Sequence, residues 1–219
     1  MKRTLALLAL LISAGALAHG ADISKLITET QRMSQGAKNL TLVWWIPTEF
    51  WDASLAQNPA VTEEQRKEFT AVLDRYVVIA VASVDIGAFG GMTPKSRDAV
   101  LENTELKIGG SVRAVLDDSE VSPDASNFVR MMKPMMANML GQFGQGIEFM
   151  LYSNVGDDGE RLIRATAQGR MNCTAFDNAF EWTLPLGSLL PPKLDPKTGQ
   201  EFPGDFMFNP YTGTKLVTK

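Results

Sequence analysis

The sequence predicts a layered α/β fold with a mainly parallel sheet, helices on both faces and an antiparallel edge hairpin. The first observation is residues 76–86, YVVIAVASVDI, an apolar and β-branched run that only Ser83 and Asp85 interrupt. A strand that exposes one face to solvent alternates between apolar and polar residues, so an unbroken apolar run predicts burial on both faces. The second is the alternation of strand and helix patterns, and the third is a Pro- and Gly-rich C-terminus that predicts a separate arm.

The N-terminus has the composition of an export signal. Lys2 and Arg3 form a basic start, residues 5–17 are apolar, and a small-x-small cleavage site follows, which predicts a signal peptide over residues 1–18. Cleavage after Gly20 is a second possibility. No later apolar run is long enough to span a bilayer. We therefore expect a soluble protein exported to the periplasm.

Charge and cysteine content exclude several classes of function. The chain has 21 basic and 25 acidic residues, and loss of the signal leaves a net charge of −6. An acidic chain without a basic stripe is a poor nucleic-acid binder. Cys173 is the single cysteine, which excludes an intramolecular disulfide and a Cys-based metal site. The mature length fits one α/β domain over 19–182, followed by the arm at 183–219.

Apolar spacing and helix caps predict the elements before the central strand. In order, they are a helix over 22–37, a strand over 40–46, a helix over 47–56 and a helix that begins after Thr62. Thr62 and Gln65 have the spacing of a capping box. A strand, a helix and the central strand at this spacing predict a right-handed βαβ crossover.

The same signals predict the elements after the central strand. These are a helix from Thr93 to Glu102, a strand over 111–117, a long helix starting at Pro123, a hairpin of strands 147–155 and 161–167, and a strand over 170–176. The long helix keeps one apolar face for five turns until Gly141. Pro134 falls on its opposite face, which predicts a kink around the core and not a break.

The arm contains a near-repeat, DPKTG at 195–199 and NPYTG at 209–213. This segment, up to residue 216, resembles the zinc-ribbon family, whose paired knuckles read Cys-Pro-x-Cys-Gly at a similar separation. The four ligand positions hold Asp195, Thr198, Asn209 and Thr212, so the resemblance implies a ribbon shape without a Zn²⁺ site. The ribbon's expected packing residues are Phe202, Phe206, Phe208 and Tyr211. The alternative is two unrelated Asx-Pro turns.

Parallel strands bring their carboxyl ends to one edge, where open α/β sheets bind ligands. We predict a non-catalytic protein that binds a partner protein or small molecule there. The predicted binding residues follow or end the strands, or form the glycine loop after the central strand: Trp45, Glu49, Trp51, Asp85, Gly87, Gly90, Gly91 and Asp117. No catalytic residue, metal site or cofactor is predicted.

Two alternative functions use other residues. Converging carboxylates of Asp85, Asp117 and Asp118 can hold Mg²⁺ or Ca²⁺, as in a divalent-metal hydrolase. A methionine-rich helix suits copper, since thioethers are soft ligands, and an N-terminal His19 would add nitrogen ligands. The methionines are Met131, Met132, Met135, Met136 and Met139. All except Met131 lie on the face predicted to pack against the sheet, which favours a core role.

Overall fold

The computed structural model describes residues 22–36 and 38–218, so the predicted signal peptide lies outside the described part of the chain. The helices are α1 Ile23–Thr30, α2 Thr48–Ala56, α3 Glu63–Leu73, α4 Arg97–Glu102 and α5 Pro123–Leu140, with 3-10 turns at Gly141–Gly146 and Gly187–Leu189. The strands are β1 Gln31–Gln35, β2 Asn39–Trp45, β3 Tyr76–Ile86, β4 Met92–Pro94, β5 Thr104–Ile108, β6 Ser111–Arg113, β7 Glu148–Ser153, β8 Gly169–Ala175, β9 Asn178–Leu184, β10 Lys193–Leu194, β11 Glu201–Phe202 and β12 Val217–Thr218.

The described strands form three sheets. The first has the order β1-β2-β3, with β7 paired to the first half of β3 and β4 to its last residues. The second has the order β6-β5-β8-β9, and the third, in the arm, has the order β11-β10-β12. All pairings between these strands are antiparallel, so the predicted mainly parallel sheet is wrong. An apolar run reports burial but does not encode strand direction.

The central strand β3 is buried on both faces over residues 76–84, as its apolar run predicts. Two neighbouring tryptophans of β2 show what covers each face. The ring of Trp44 lies 5.3 Å from Phe50 of α2, whereas the ring of Trp45 lies 6.4 Å from Trp182 of β9. Consecutive strand residues point to opposite faces. One face of the first sheet therefore packs on helices and the other packs on the second sheet, so the prediction of helices on both faces is wrong.

The helix layer is held together by edge-to-face aromatic contacts. Phe128 of α5 lies 4.8 Å from Trp51 of α2 and 5.2 Å from Phe69 of α3. Each such contact adds about 0.5–1.5 kcal/mol beyond area burial. The Tyr76 hydroxyl accepts a hydrogen bond from the backbone N–H of Ser122 at 2.9 Å. These contacts join α2, α3 and α5 to each other and to the start of β3.

Thr30 marks the point where α1 ends and β1 begins. Its hydroxyl accepts from Trp44 Nε1 at 3.0 Å, and its carbonyl accepts from Trp182 Nε1 at 2.9 Å. The predicted helix over 22–37 is therefore wrong over residues 31–35, which pair with β2 as an edge strand. The two tryptophans come from different sheets, so no local pattern indicates this break.

Several other predicted boundaries also differ from the structure. The helix predicted from Thr93 begins at Arg97 with Ser96 as its cap, because residues 92–94 pair with β3 as β4. The strand predicted over 111–117 ends at Arg113, and the return strand over 161–167 is reduced to one bridge between Val155 and Arg161. Strands β5 and β9 were not predicted. They lie in the second sheet, which the sequence did not predict.

The elements with strong local end signals are confirmed. The capping box of Thr62 and Gln65 starts α3, and Ser122 caps α5 with Pro123 in its first turn. The helix α5 ends before Gly141, and Pro134 is on its exposed side as predicted. Among the described residues, no helix is both long and apolar enough to cross a membrane.

Candidate functional site

The predicted strand-end residues do not form one site. The register pairs Trp45 with Ile79 and Asn39 with Asp85. Asp85 is six residues beyond Ile79 along β3, a distance of roughly 20 Å at the usual rise of a strand. Trp45 and Asp85 therefore lie at opposite ends of the first sheet. Their predicted convergence is wrong because β2 and β3 are antiparallel.

At the far end of β3, the glycine loop is a hairpin turn. Gly90 N–H donates to the Gly87 carbonyl at 2.9 Å, and Gly87 N–H donates to the Gly91 carbonyl at 2.8 Å. Gly90 has φ of 80°, which favours glycine there. Asp85 is paired with Lys95 at 2.6 Å on the exposed side of this hairpin. Two of the loop's N–H groups are thus already used within the turn.

The other predicted residues are also dispersed. Trp51 is buried in the helix layer, 3% exposed. Asp117 is exposed in the loop before α5, where its backbone N–H donates to Glu120 at 2.8 Å. In the part of the chain that the structure describes, no group of three or more His, Cys, Asp or Glu residues is placed to hold a metal. The carboxylates named for a divalent-metal hydrolase do not meet.

Trp45 and Glu49 do share a small cleft, of about 20 Å³, with Asp74, Asn154 and Arg161. The Asn154 amide donates to the Asp74 carbonyl at 3.2 Å and accepts from the backbone N–H of Ile163 at 3.0 Å. Arg161 is ion-paired with Asp74. A volume of this size holds about one water molecule. The cleft therefore has no room for an organic substrate.

The carboxyl of Glu49 has a shifted pKa in this cleft. Burial raises the pKa of its carboxyl above the ordinary value, although hydrogen bonds from the Glu49 and Ala165 backbones and the positive charge of Arg161 act in the opposite direction. A carboxyl with a raised pKa can exchange protons closer to neutrality. Without space for a substrate, however, we assign this carboxyl no chemistry.

A second cleft, of about 270 Å³, lies where the domain meets the arm and was not predicted. Glu29, Arg32, Glu181 and Asp205 contribute its charged groups. Arg32 Nε donates to the Glu181 carbonyl at 3.2 Å, and its Nη1 donates to the Glu29 carbonyl at 2.9 Å. The Glu29 carboxylate accepts the backbone N–H of Ser188 at 3.1 Å. The two Arg32 bonds lie within the domain, and the bond from Ser188 to Glu29 joins the domain to the first residues of the arm.

The two pentapeptides of the arm form matching turns. Asp195 Oδ1 accepts from the N–H groups of residues 197 and 198 at 2.8 and 3.3 Å, and Asn209 Oδ1 accepts from those of residues 211 and 212 at 2.9 and 3.3 Å. Gly199 and Gly213 close the turns onto the carbonyls of Asp195 and Asn209, both at 2.8 Å. Their φ angles are 71° and 69°, a conformation that favours glycine.

A buried side-chain hydrogen bond links the two turns. Asn209 Nδ2 donates to Asp195 Oδ2 at 2.6 Å, and the two residues are only 2% and 1% exposed. This bond, helped by the Lys197 backbone N–H, holds the pKa of the Asp195 carboxyl below its ordinary value. The Thr198 and Thr212 hydroxyls accept from the N–H groups of residues 200 and 214. The four polar side chains thus complete the two turns and their link.

Five large apolar residues in the last part of the arm are exposed. We call this set the arm surface: Phe206 (37% exposed), Met207 (59%), Phe208 (55%), Tyr211 (82%) and Val217 (46%). Residues 206–208 run beside 215–217, joined by the bridge from Phe208 to Lys215 and by the bond from the Leu216 N–H to the Met207 carbonyl. Phe202 is buried, and the ring of the exposed Tyr211 lies 6.5 Å from it. The prediction that all four aromatic residues pack the ribbon is wrong for Phe206 and Phe208, which are exposed.

One sequence signal could have indicated the arm surface. The arm has many large apolar residues but too few residues to build a core of its own, so some of them must be exposed.

Comparison of the chain with protein-family models, curated proteins and solved structures finds no match.

Proposed function

We propose that the protein is an exported, non-catalytic binding protein that holds a partner protein through the arm surface. The observation that carries this proposal is the exposure of three aromatic residues and a methionine on one short segment. Aromatic residues and methionine are enriched at protein interfaces, and contiguous exposed apolar patches mark interaction sites. Neither cleft offers a comparable site. One holds about a single water, and in the other Arg32 and Glu29 are already hydrogen-bonded within the domain and to the arm.

The arm is built to present this surface in one conformation. Its two turns are linked by the buried bond between Asp195 and Asn209, and its first residues are held by Glu29 through the Ser188 N–H. Ordering a flexible loop on binding costs free energy, and a surface that is ordered beforehand avoids that cost. The metal-free ribbon shape, inferred from the paired turns, fits this role.

Export to the periplasm is part of the same proposal. Its support is the basic start and apolar run of residues 1–18, which lie outside the described residues. A divalent-metal hydrolase is not proposed, because Asp85, Asp117 and Asp118 belong to no group of described residues that is placed to hold a metal.

Site-specific photo-crosslinking in the native cell tests the arm surface. A photoreactive phenylalanine analogue is placed at Phe208, which is 55% exposed. The matched control carries it at Phe89, which is fully exposed on the hairpin turn that follows β3. We expect one discrete protein adduct from position 208 and none from position 89. The substitution Tyr211→Ala in the same chain should abolish that adduct, because it removes the most exposed ring of the arm surface.

Two results would overturn the proposal. One is the same pattern of adducts from both positions, which would indicate random collisions. The other is an adduct that Tyr211→Ala leaves unchanged. An adduct between two copies of the chain that Tyr211→Ala abolishes would identify the partner as a second copy.

A further inference from the structure

The five methionines of α5 are not all part of the core. Met132 and Met136 are buried, at 1% and 3% exposed, but Met131 and Met139 are 41% and 51% exposed. Met135 is half-buried and packs against the edge of the core. The sequence-based prediction that Met139 faces the sheet is therefore wrong. Core packing does not account for the exposure of Met131 and Met139.

Met131, Met135 and Met139 follow one another at intervals of four residues along α5. Residues four apart lie about 6 Å apart along the axis and about 40° apart around the helix. They are therefore neighbours on one side of the helix. We call these three residues the thioether stripe. Because methionine is unbranched and has three rotatable bonds, two adjacent sulfur atoms of the stripe can turn toward a common ion.

Thioether sulfur is a soft ligand, and among the biological metal ions it suits Cu(I). Outside the methionines, the chain contains a single cysteine and a single histidine. The other exposed methionines, Met33, Met92 and Met207, each lie on a different element and do not form a row. Cys173 is 1% exposed, and burial raises the pKa of its thiol to about 12, so it is not an accessible thiolate. The thioether stripe is thus a group of soft ligands at the surface of the described chain.

We propose that the thioether stripe binds Cu(I) through adjacent pairs of methionines, either Met131 with Met135 or Met135 with Met139. Met135 belongs to both pairs, so it is the residue that the site cannot lose. The exposed ends of the stripe leave a bound ion open to exchange with a donor or acceptor. This site lies on α5, whereas the proposed partner-binding surface lies on the arm, so each can be tested without the other.

The test uses Cu(I) alone, under anaerobic conditions, in competition with a chromophoric Cu(I) chelator. We expect the purified mature chain to withdraw Cu(I) from the chelator and the variant Met135→Leu to lose this ability. Met131→Leu and Met139→Leu should each weaken binding but not abolish it, because one pair remains. Leucine has a similar volume and helix propensity to methionine, so the fold should survive, as circular dichroism can verify.

Two controls keep the test specific. Met33→Leu removes a methionine on β1 that is 61% exposed and should leave Cu(I) binding unchanged. Binding by the wild-type chain should also be the same at about pH 5 and pH 7, because thioethers, unlike imidazole, amine or carboxylate ligands, release no proton on binding. Unchanged binding by Met135→Leu, or an equal loss with Met33→Leu, would overturn the site. Loss of binding at the lower pH would do the same.

Discussion

Asp195 and Asn209 join two backbone turns with one side-chain hydrogen bond. Each residue uses Oδ1 to accept the N–H groups of its own turn. Only the second terminal atom remains for the bridge, Oδ2 in Asp195 and Nδ2 in Asn209. The bridge therefore needs one acceptor and one donor, which an aspartate and an asparagine supply. Two aspartates or two asparagines would not complete it.

We predict that Asp195→Asn destabilises the arm, because two amide Nδ2 groups would then face each other. The double substitution Asp195→Asn with Asn209→Asp should restore stability, since the matching turns allow donor and acceptor to change places. Limited proteolysis of the arm and thermal unfolding measure this, and a double-mutant cycle isolates the coupling between the two residues. A double variant less stable than both single variants would contradict the interpretation.

The pH dependence gives the same prediction an independent readout. The hydrogen bond from Asn209 lowers the pKa of the folded Asp195 carboxyl below its ordinary value. The stabilisation is therefore complete above the ordinary carboxyl pKa and decreases as the pH falls through the lower, folded value. The difference in stability between the wild type and Asp195→Asn should shrink below about pH 4. A difference that stays constant down to about pH 2 would be inconsistent with an ionised Asp195.

At the scale of elements, an ion pair joins α5 to β7. Glu148 at the start of β7 is buried, with a side chain only 9% exposed, and Lys133 Nζ of α5 contacts its two carboxylate oxygens at 2.6 and 2.7 Å. Arg97 of α4 is more distant, at 3.7 Å. Removing the lysine would leave a buried carboxylate with one distant cation, which is more costly than losing an exposed pair.

We predict that Lys133→Met lowers the free energy of unfolding by about 1–3 kcal/mol, the usual cost of an unpaired buried polar group. Lys67→Met is the matched control, because Lys67 and Glu63 form a pair on α3 in which both side chains are about 70% exposed. That change should stay within about 0.5 kcal/mol. Urea denaturation of both variants measures the difference. Equal effects would show that α5 and β7 do not depend on the pair.

The ends of the elements show how far local sequence signals reach. Helices α3 and α5 begin directly after their caps, Thr62 and Ser122, as the sequence predicts, because a cap bonds to N–H groups within three residues. The predicted helices wrongly included β1 and most of β4. Pairing with β2 and β3 decides the strand conformation of these segments, and a local pattern does not record such pairing. A helical apolar period is also compatible with a short edge strand.

At the scale of the whole molecule, Cys173 lies where the two sheets of the domain pack together. It belongs to β8 and is 1% exposed, near Tyr152 of β7, a strand of the first sheet. Burial raises the pKa of both the Cys173 thiol and the Tyr152 hydroxyl. A thiol reagent can reach Cys173 only if the sheets separate, so its reactivity reports on the packing of the domain.

We predict that a maleimide does not label Cys173 in the native protein. With increasing denaturant, labelling should rise at the same midpoint as the change in tryptophan fluorescence, because Trp45 and Trp182 contact each other across the same interface. Coincident midpoints indicate that the two sheets unfold together. Labelling at a clearly lower denaturant concentration would show that the second sheet opens alone, contrary to our expectation.

The sequence by itself determined the features that depend on near neighbours. These are the double-sided burial of β3, the starts of α3 and α5, and the two matching turns of the arm. Each depends on residues close in the chain, where apolar spacing, a cap or a glycine acts directly. The paired acceptor and donor at Asp195 and Asn209 are also visible in the sequence, although their bond is not.

Only the tertiary structure decided strand direction, what covers the second face of the first sheet, and which side chains meet. Glu49 and Asp85 lie apart because β2 and β3 are antiparallel, and α1 ends at Thr30 because Trp182, far along the chain, takes its carbonyl. The exposure of Met139 likewise depends on where neighbouring elements stop covering α5. Apolar patterns record how deeply a residue is buried but not which distant element buries it, because many partners satisfy the same pattern.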